Sequence, residues 1–205
     1  MRLVVVTKTY PTSDVAVLGR LGVTDVGENK HPEAEHKFDE VGSDGSDLTW
    51  HFVGAVQTNK AAAVARYADV VHSVDRVRLV RALAKGAQKA GRVIDVLIQV
   101  NLEGRDDTPG GRSGVDPVDI EELAAEIEAS PTLRLRGTMA VAPLGGDAAK
   151  AFAALREQTV ALQERHPSAT IMSAGMSGDL EAAIAAGATH VRIGRAVLGE
   201  RPPLR

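Results

Sequence analysis

Eight short apolar runs, each followed by a stretch with helical periodicity or a turn, restrict the fold of this chain more than any other feature. The runs are Leu3 to Thr7, Thr24 to Gly27, Trp50 to Val53, Val70 to Ser73, Ile94 to Val100, Leu133 to Thr138, Thr170 to Ser173 and His190 to Ile193. Several are β-branched and apolar on both faces, the pattern of parallel strands covered by helices. Ser13-Asp14 predicts a capped helix through Leu21 that Gly22 ends, and residues 30–42 and Lys60 to Tyr67 read as the next two. Asp75 is expected to open a basic amphipathic helix that runs to Ala90 and closes at Gly91. Pro117 to Ala129, Ala148 to Arg165 and Asp179 to Ala186 complete the set. Ser43 to Asp47 and Glu103 to Gly114 are read as loops, the second being the only long uncommitted segment.

Eight strands alternating with helices predict an α/β protein of the (β/α)8 barrel type, whose functional groups sit at the C-terminal ends of the strands. An open doubly wound sheet shares the alternation, but no G-x-G-x-x-G turn follows the first run. At 205 residues and 44% hydrophobic, the chain suits one domain over residues 1–205. Its net charge of -3, without a Lys/Arg stripe, argues against nucleic acid as a partner. The absence of cysteine excludes disulfides and thiolate metal sites and fits a cytoplasmic protein. No apolar run approaches the roughly 18 residues of a membrane span. The six histidines have neither H-x-H nor H-x-x-x-H spacing, so no metal is expected.

Closing a barrel makes the first and last strands neighbours, which brings Lys8 towards Arg192, Gly194 and Arg195. A lysine on a rigid strand among apolar neighbours is placed for Schiff-base chemistry. The turns after the last two strands, Ser173-Ala174-Gly175-Met176-Ser177 and Gly194-Arg195, are where barrels commonly bind phosphate. Together they suit an aldehyde cofactor carrying a phosphate and a ring nitrogen, which points to pyridoxal phosphate. The residues alone leave other readings open. Lys8 could snorkel to solvent, the two turns could be plain βα connections, and Arg192 could pair with a carboxylate at the rim. Glu28, Asn29, His51, Gln57, Asn59 and Lys60 form a polar group after the second and third strands that capping would also explain. Asn101 and Met139 could floor a ring, although core packing suits Met139 as well.

Taken in order, Val6-Thr7-Lys8-Thr9, Gly27-Glu28-Asn29, Trp50-His51-Phe52-Val53-Gly54 with Gln57 and Asn59-Lys60, His72-Ser73-Val74-Asp75, Gln99-Val100-Asn101, Arg136-Gly137-Thr138-Met139, Ser173-Ala174-Gly175-Met176-Ser177 and Val191-Arg192-Ile193-Gly194 form a pattern spanning nearly the whole chain. It resembles the pyridoxal phosphate homeostasis protein family, whose barrel is that of the alanine racemase N-terminal domain. The resemblance implies that Lys8 holds pyridoxal 5'-phosphate as an internal aldimine. It further implies Ser173 and the backbone at Gly194 and Arg195 on the phosphate, Arg192 by the pyridine nitrogen, and Asn29, Asn59 and Met139 around the cofactor. Members are thought to carry or buffer the cofactor, with apo forms of pyridoxal-phosphate enzymes as partners, and a monomer is expected.

Two other functions compete with a carrier: a racemase-like enzyme acting on amino acids, and a cofactor-free aldolase using Lys8. The related racemases supply a second base as a tyrosine from a β domain, whereas this sequence has only Tyr10 and Tyr67 and ends shortly after the last strand. Three departures from the family stand out. The sequence starts on a strand where members have an N-terminal helical segment, so one barrel end is expected to be less covered unless the start is misassigned. Arg112-Ser113-Gly114 replaces a Lys-x-Gly, and Tyr10 occupies a variable position.

Overall fold

The computed structural model describes residues 1–42, 47–103 and 114–200. Eight parallel strands close into a barrel in chain order: β1 (Arg2–Val6), β2 (Asp25–Glu28), β3 (Thr49–Phe52), β4 (Val70–Val74), β5 (Ile94–Gln99), β6 (Leu133–Met139), β7 (Ile171–Ser173) and β8 (His190–Ile193). The β1–β8 seam pairs Arg2 with His190 and Val5 with Ile193, so the two ends of the sequence meet as barrel closure requires. The helices are α1 (Thr12–Arg20), α2 (His31–Val41), α3 (Ala61–Tyr67), α4 (Val77–Ala90), α5 (Ile120–Glu128), α6 (Ala148–Arg165), α7 (Leu180–Ala185) and α8 (Arg195–Leu198). The main core lies between strands and helices, with Phe52, Leu79, Leu83, Ile98, Phe152 and Leu155 among its buried side chains.

Local chemistry sets several element ends. Gly91 ends α4 in the left-handed region at φ 65°, and Asp147 caps α6 by accepting from the Lys150 amide at 3.1 Å. Other expected starts shift. Thr12 opens α1 behind Pro11, so Ser13 and Asp14 lie inside the helix, and Arg76 rather than Asp75 precedes α4. The helix expected from Pro117 begins as a 3-10 turn over Pro117–Asp119, where Asp116 accepts from Val118, and becomes α-helical only at Ile120. A short helix, α8, follows Gly194 where the sequence shows only a turn. The loop between residues 43 and 46, most of the loop after Glu103, and Arg112 and Ser113 lie outside the described residues.

One glycine is dictated by sheet geometry. The β5–β6 register slips between Val96 and Leu97, and Gly137 takes up the irregularity at φ 143°. A Cβ there would stand 1.9 Å from the Ile171 carbonyl oxygen.

Candidate functional site

The barrel interior is polar at a level where such barrels usually stack branched aliphatics. Asp25, His51, His72, Ser173, His190 and Arg192 are all buried and come from β2, β3, β4, β7 and β8. His72 on β4 reaches Ser173 on β7, which is three strands away in the barrel, so their contact crosses the lumen. An unbroken line of contacts results. Arg192 donates to Ser173 Oγ at 2.7 Å, Ser173 Oγ lies 3.0 Å from His72 Nδ1, His72 Nε2 lies 2.8 Å from His51 Nδ1, and His51 Nε2 lies 3.0 Å from Asp25 Oδ1.

The charges at the two ends explain one another's neighbours. Burial would raise the Asp25 carboxyl, but the His51 and Thr24 donors, with His51 and Arg2 nearby, hold it well below the usual carboxylate range. Burial, followed by the surrounding His51, Arg192 and His190, keeps His72 neutral by pushing it far below its ordinary value. Burial also draws Arg192 down to about 10, against the opposing pull of Asp179. Arg192 spends one donor on Ser173 and another on the Ala140 carbonyl at 2.9 Å. Among the described residues no carboxylate lies within ion-pair distance of this guanidinium, which disposes of a rim salt bridge.

At the seam between β1 and β8, Lys8 follows β1 in a turn whose backbone is held on both sides. Lys37, itself buried on α2, donates to the Thr7 carbonyl at 2.7 Å and to Glu28 and Glu33 at 2.9 and 2.8 Å. Thr7 Oγ1 donates to the same Glu28 oxygen at 2.6 Å, and the Thr9 amide donates to Glu33. Thr9 sits at φ 68°, a conformation unusual for a β-branched residue that this clamp maintains. Burial raises Glu28 in spite of Lys37, whereas at Glu33 the Lys37 and Thr9 hydrogen bonds overcome burial and lower it. The strand-end position of Lys8 is therefore rigid.

Gly194 packs against the same strand, since a Cβ on it would come within 3.1 Å of the Val6 carbonyl oxygen. It precedes α8 without a side-chain cap, leaving the first amides of that turn without intrahelical acceptors. Gly175 adopts φ 93°, and a Cβ there would meet Ala183 at 2.7 Å, so the turn after Ser173 can lie close against α7. Arg195 opens α8 and is exposed. Met139 is buried with Val70 and Leu97 in a small apolar cluster from β6, β4 and β5, one residue before the carbonyl that Arg192 grips.

The remaining polar candidates divide. Asn29 and Lys60 line a cavity of about 330 Å³ with Gln57, Phe52 and Val64, which puts them together outside the lumen between the rim and α2 and α3. Asn59 is exposed on the 3-10 turn Thr58–Lys60. His51, expected in the polar group after the third strand, instead lies within β3 in the buried line, because alternation along the strand turns it into the lumen while Phe52 joins the helix-facing core. Sequence reading quoted His72 in the family pattern without giving it a role and passed over Asp25. The available signal was a histidine in the Val70 to Val74 run, where Ser73 is the only other polar residue. No group of three or more His, Asp or Glu side chains is arranged to hold a metal ion among the described residues, and none of their helices is long and apolar enough to cross a membrane.

Comparison with known proteins gives a consistent relationship. The family model for the alanine racemase N-terminal domain matches residues 1–202. The pyridoxal phosphate homeostasis protein of Corynebacterium glutamicum is 39% identical over 209 residues, covering 98% of this chain and 91% of that protein. Its counterpart in Mycobacterium tuberculosis is 38% identical over 216 residues, covering 98% and 83%. Among solved structures, that of PipY from Synechococcus elongatus with PLP bound superimposes with a TM-score of 0.83 at 33% identity, covering 97% of this chain and 92% of that one.

Proposed function

Because the chain belongs to the pyridoxal phosphate homeostasis protein family, built on the alanine racemase N-terminal domain, we propose that it binds pyridoxal 5'-phosphate at the C-terminal mouth of its barrel and serves as a carrier or buffer of that cofactor. The observation that carries this reading is the buried Arg192 guanidinium, which lacks a carboxylate partner among the described residues and keeps donors in hand beside Ser173. A site of this kind fits a ligand that brings its own acceptors. Lys8 is the covalent attachment point for the cofactor's aldehyde. Ser173 and the amides at Gly194 and Arg195 hold the phosphate, Arg192 faces the pyridine nitrogen, and Met139 contributes an apolar floor. Asn29 and Asn59 stay in the outer ring of the site. When bound, the cofactor supplies an electrophilic carbon and an electron-withdrawing ring.

A carrier is favoured over a racemase by the two tyrosines. Tyr10 is buried and donates to the Gly199 carbonyl at 2.6 Å. Tyr67 is buried beside His31 and Phe38, and burial, with Glu35 and Glu28 nearby, raises its phenol well above the usual range. Neither is placed to act as a second base. A cation rather than an acid at the pyridine nitrogen also weakens the ring as an electron sink.

The purified chain incubated with pyridoxal 5'-phosphate should show a visible absorption band that borohydride removes, and mass spectrometry should find the reduced adduct on Lys8. Lys8→Ala should lose the band. An adduct mainly on Lys60, or a band that persists in Lys8→Ala, would overturn the assignment. Deuterium exchange into L-alanine, followed by chiral analysis, should show no racemisation at enzymic rates, on the order of 1 to 10³ per second.

A further inference from the structure

The cavity of about 330 Å³ between the start of α2 and the start of α3 has no part in the proposed cofactor site beyond one residue. Lys8, Met139, Ser173, Arg192, Gly194 and Arg195 do not line it. Asn29 does, but its side chain is turned to the turn after β3, where a Cβ on Gly54 would come within 2.3 Å of Asn29 Oδ1. The buried Phe52, Val56 and Val64 form apolar inner walls, and the exposed Lys30 and Lys60 lie on the solvent side.

The charges around this cavity are unbalanced. No carboxylate lines it, and among the described residues neither the Lys30 nor the Lys60 side chain makes a hydrogen bond or an ion pair. The acids close by are engaged elsewhere. Glu33 accepts from Lys37 and from the Thr9 amide, and Glu35 accepts from Arg66, so Lys30 reaches Glu33 only through its field. Two cations without a direct counter-ion beside an apolar hollow favour an anion that carries apolar surface. His31 points to a ligand independently. It lines the cavity with its ring stacked on Tyr67, and its Nδ1 is buried without a hydrogen-bond partner among the described residues, while Nε2 faces Glu35 at 3.7 Å. A buried polar atom left in this condition calls for a partner from outside the protein.

We propose that this cavity is a second ligand site and that it takes a small carboxylate with an apolar body. Lys30 and Lys60 hold the carboxylate as point charges, and His31 Nδ1 supplies a third polar contact. The body displaces water from Phe52, Val56 and Val64. The volume lies at the lower end of the roughly 300 to 1,000 Å³ of small-molecule sites, which suits a ligand of a few carbons. Inorganic phosphate would leave the apolar walls unused. The site is complete without Lys8 or Arg192, so its ligand should bind whether or not the cofactor is present.

NMR titration of the intact chain with 4-methylpentanoate, with its amide and with inorganic phosphate, each in the presence and absence of saturating pyridoxal 5'-phosphate, tests the assignment. The carboxylate should shift the methyl signals of Val56 and Val64 saturably under both conditions, and the amide and inorganic phosphate should each bind at least about tenfold more weakly. Lys30→Gln and Lys60→Gln, both at exposed positions, should each weaken the carboxylate by about two- to fivefold, and raised salt should act in the same direction. Thermal unfolding of the two variants verifies that they fold as the parent does. The proposal is overturned if Val56 and Val64 do not respond, if the amide or inorganic phosphate binds as tightly as the carboxylate, or if the double lysine variant keeps full affinity. Shifts confined to Ser173 and Gly194 that vanish once pyridoxal 5'-phosphate is bound would also overturn it, because the carboxylate would then be occupying the phosphate turns instead.

Discussion

The backbone around Lys8, the proposed attachment point, is held by another lysine. Lys37 donates to the carbonyl of Thr7, and its two carboxylate partners draw in the Thr7 hydroxyl and the Thr9 amide. Replacing Lys37 with Met should leave Glu28 buried without its cation and cost about 3 to 5 kcal/mol in urea unfolding. The sign of the pH dependence identifies the cause. With the folded pKa of Glu28 raised, the folded state binds the proton first, so the variant should recover stability as pH falls towards the ordinary carboxylate value, and Glu28→Gln in the same background should recover it at neutral pH. At the opposite side of the seam, Ser173→Ala should weaken pyridoxal 5'-phosphate binding by roughly 1.5 to 3 kcal/mol, the worth of one hydrogen bond to a charged group, and Arg195→Gly by less because Arg195 is exposed. Titration with pyridoxal as the reference would check both, and pyridoxal binding as tightly as its phosphate would contradict a phosphate site at these turns.

Among the elements, the tightest constraint is the approach of β6 to β7 at Gly137. A side chain there would enter the Ile171 carbonyl, and φ 143° is itself unfavourable for any residue with a Cβ. Gly137→Ala should therefore lower stability by at least about 3 kcal/mol, combining overpacking with backbone strain. It should also loosen the grip of Arg192 on Ala140, because that carbonyl directly follows β6. Thermal unfolding measures the first effect. A variant as stable as the parent would mean that the register slip between β5 and β6 relaxes freely. Sequence reading saw the glycine in a motif without its reason, since the reason is a backbone atom on another strand.

For the molecule as a whole, the histidines set a stability profile with losses on both sides of neutrality. Burial, followed by the charge of His51, lowers His190 to about 4, so the unfolded chain binds its proton at higher pH than the folded one. Stability should fall as pH drops from about 6.5 to about 4, by up to 1.4 kcal/mol per unit from this one group. His72 adds to the same loss. On the other side, burial lowers His166 but its hydrogen bonds to Glu128 and Glu121 prevail and raise it, so its contribution is complete below its ordinary value and disappears as pH rises through the higher folded one. Chemical denaturation at a series of pH values should show a maximum between these flanks, and His190→Asn should flatten the acid one. If the acid flank keeps its slope in that variant, His190 is not its source.

The amino-acid order by itself determined the number and sequence of the strands and of the first seven helices, the stop of α4 at Gly91, the bounds of α6, and the meeting of β1 with β8 that follows once eight units close. These are local or topological properties: periodicity, capping and the count of repeats are all written along the chain. Only the tertiary structure decided which side chains enter the lumen and whom they meet there. His72 and Ser173 are 101 residues apart, and His51 and Asp25 are 26. Strand tilt and register bring such residues face to face, and neither is encoded near any of them. The same holds for Lys37, whose helical surroundings suggest an exposed lysine and whose burial depends on β2 and the turn after β1 converging on it. A polar line through a barrel becomes visible only when the barrel is closed, because its central contact, His72 to Ser173, joins β4 to β7, strands that do not pair.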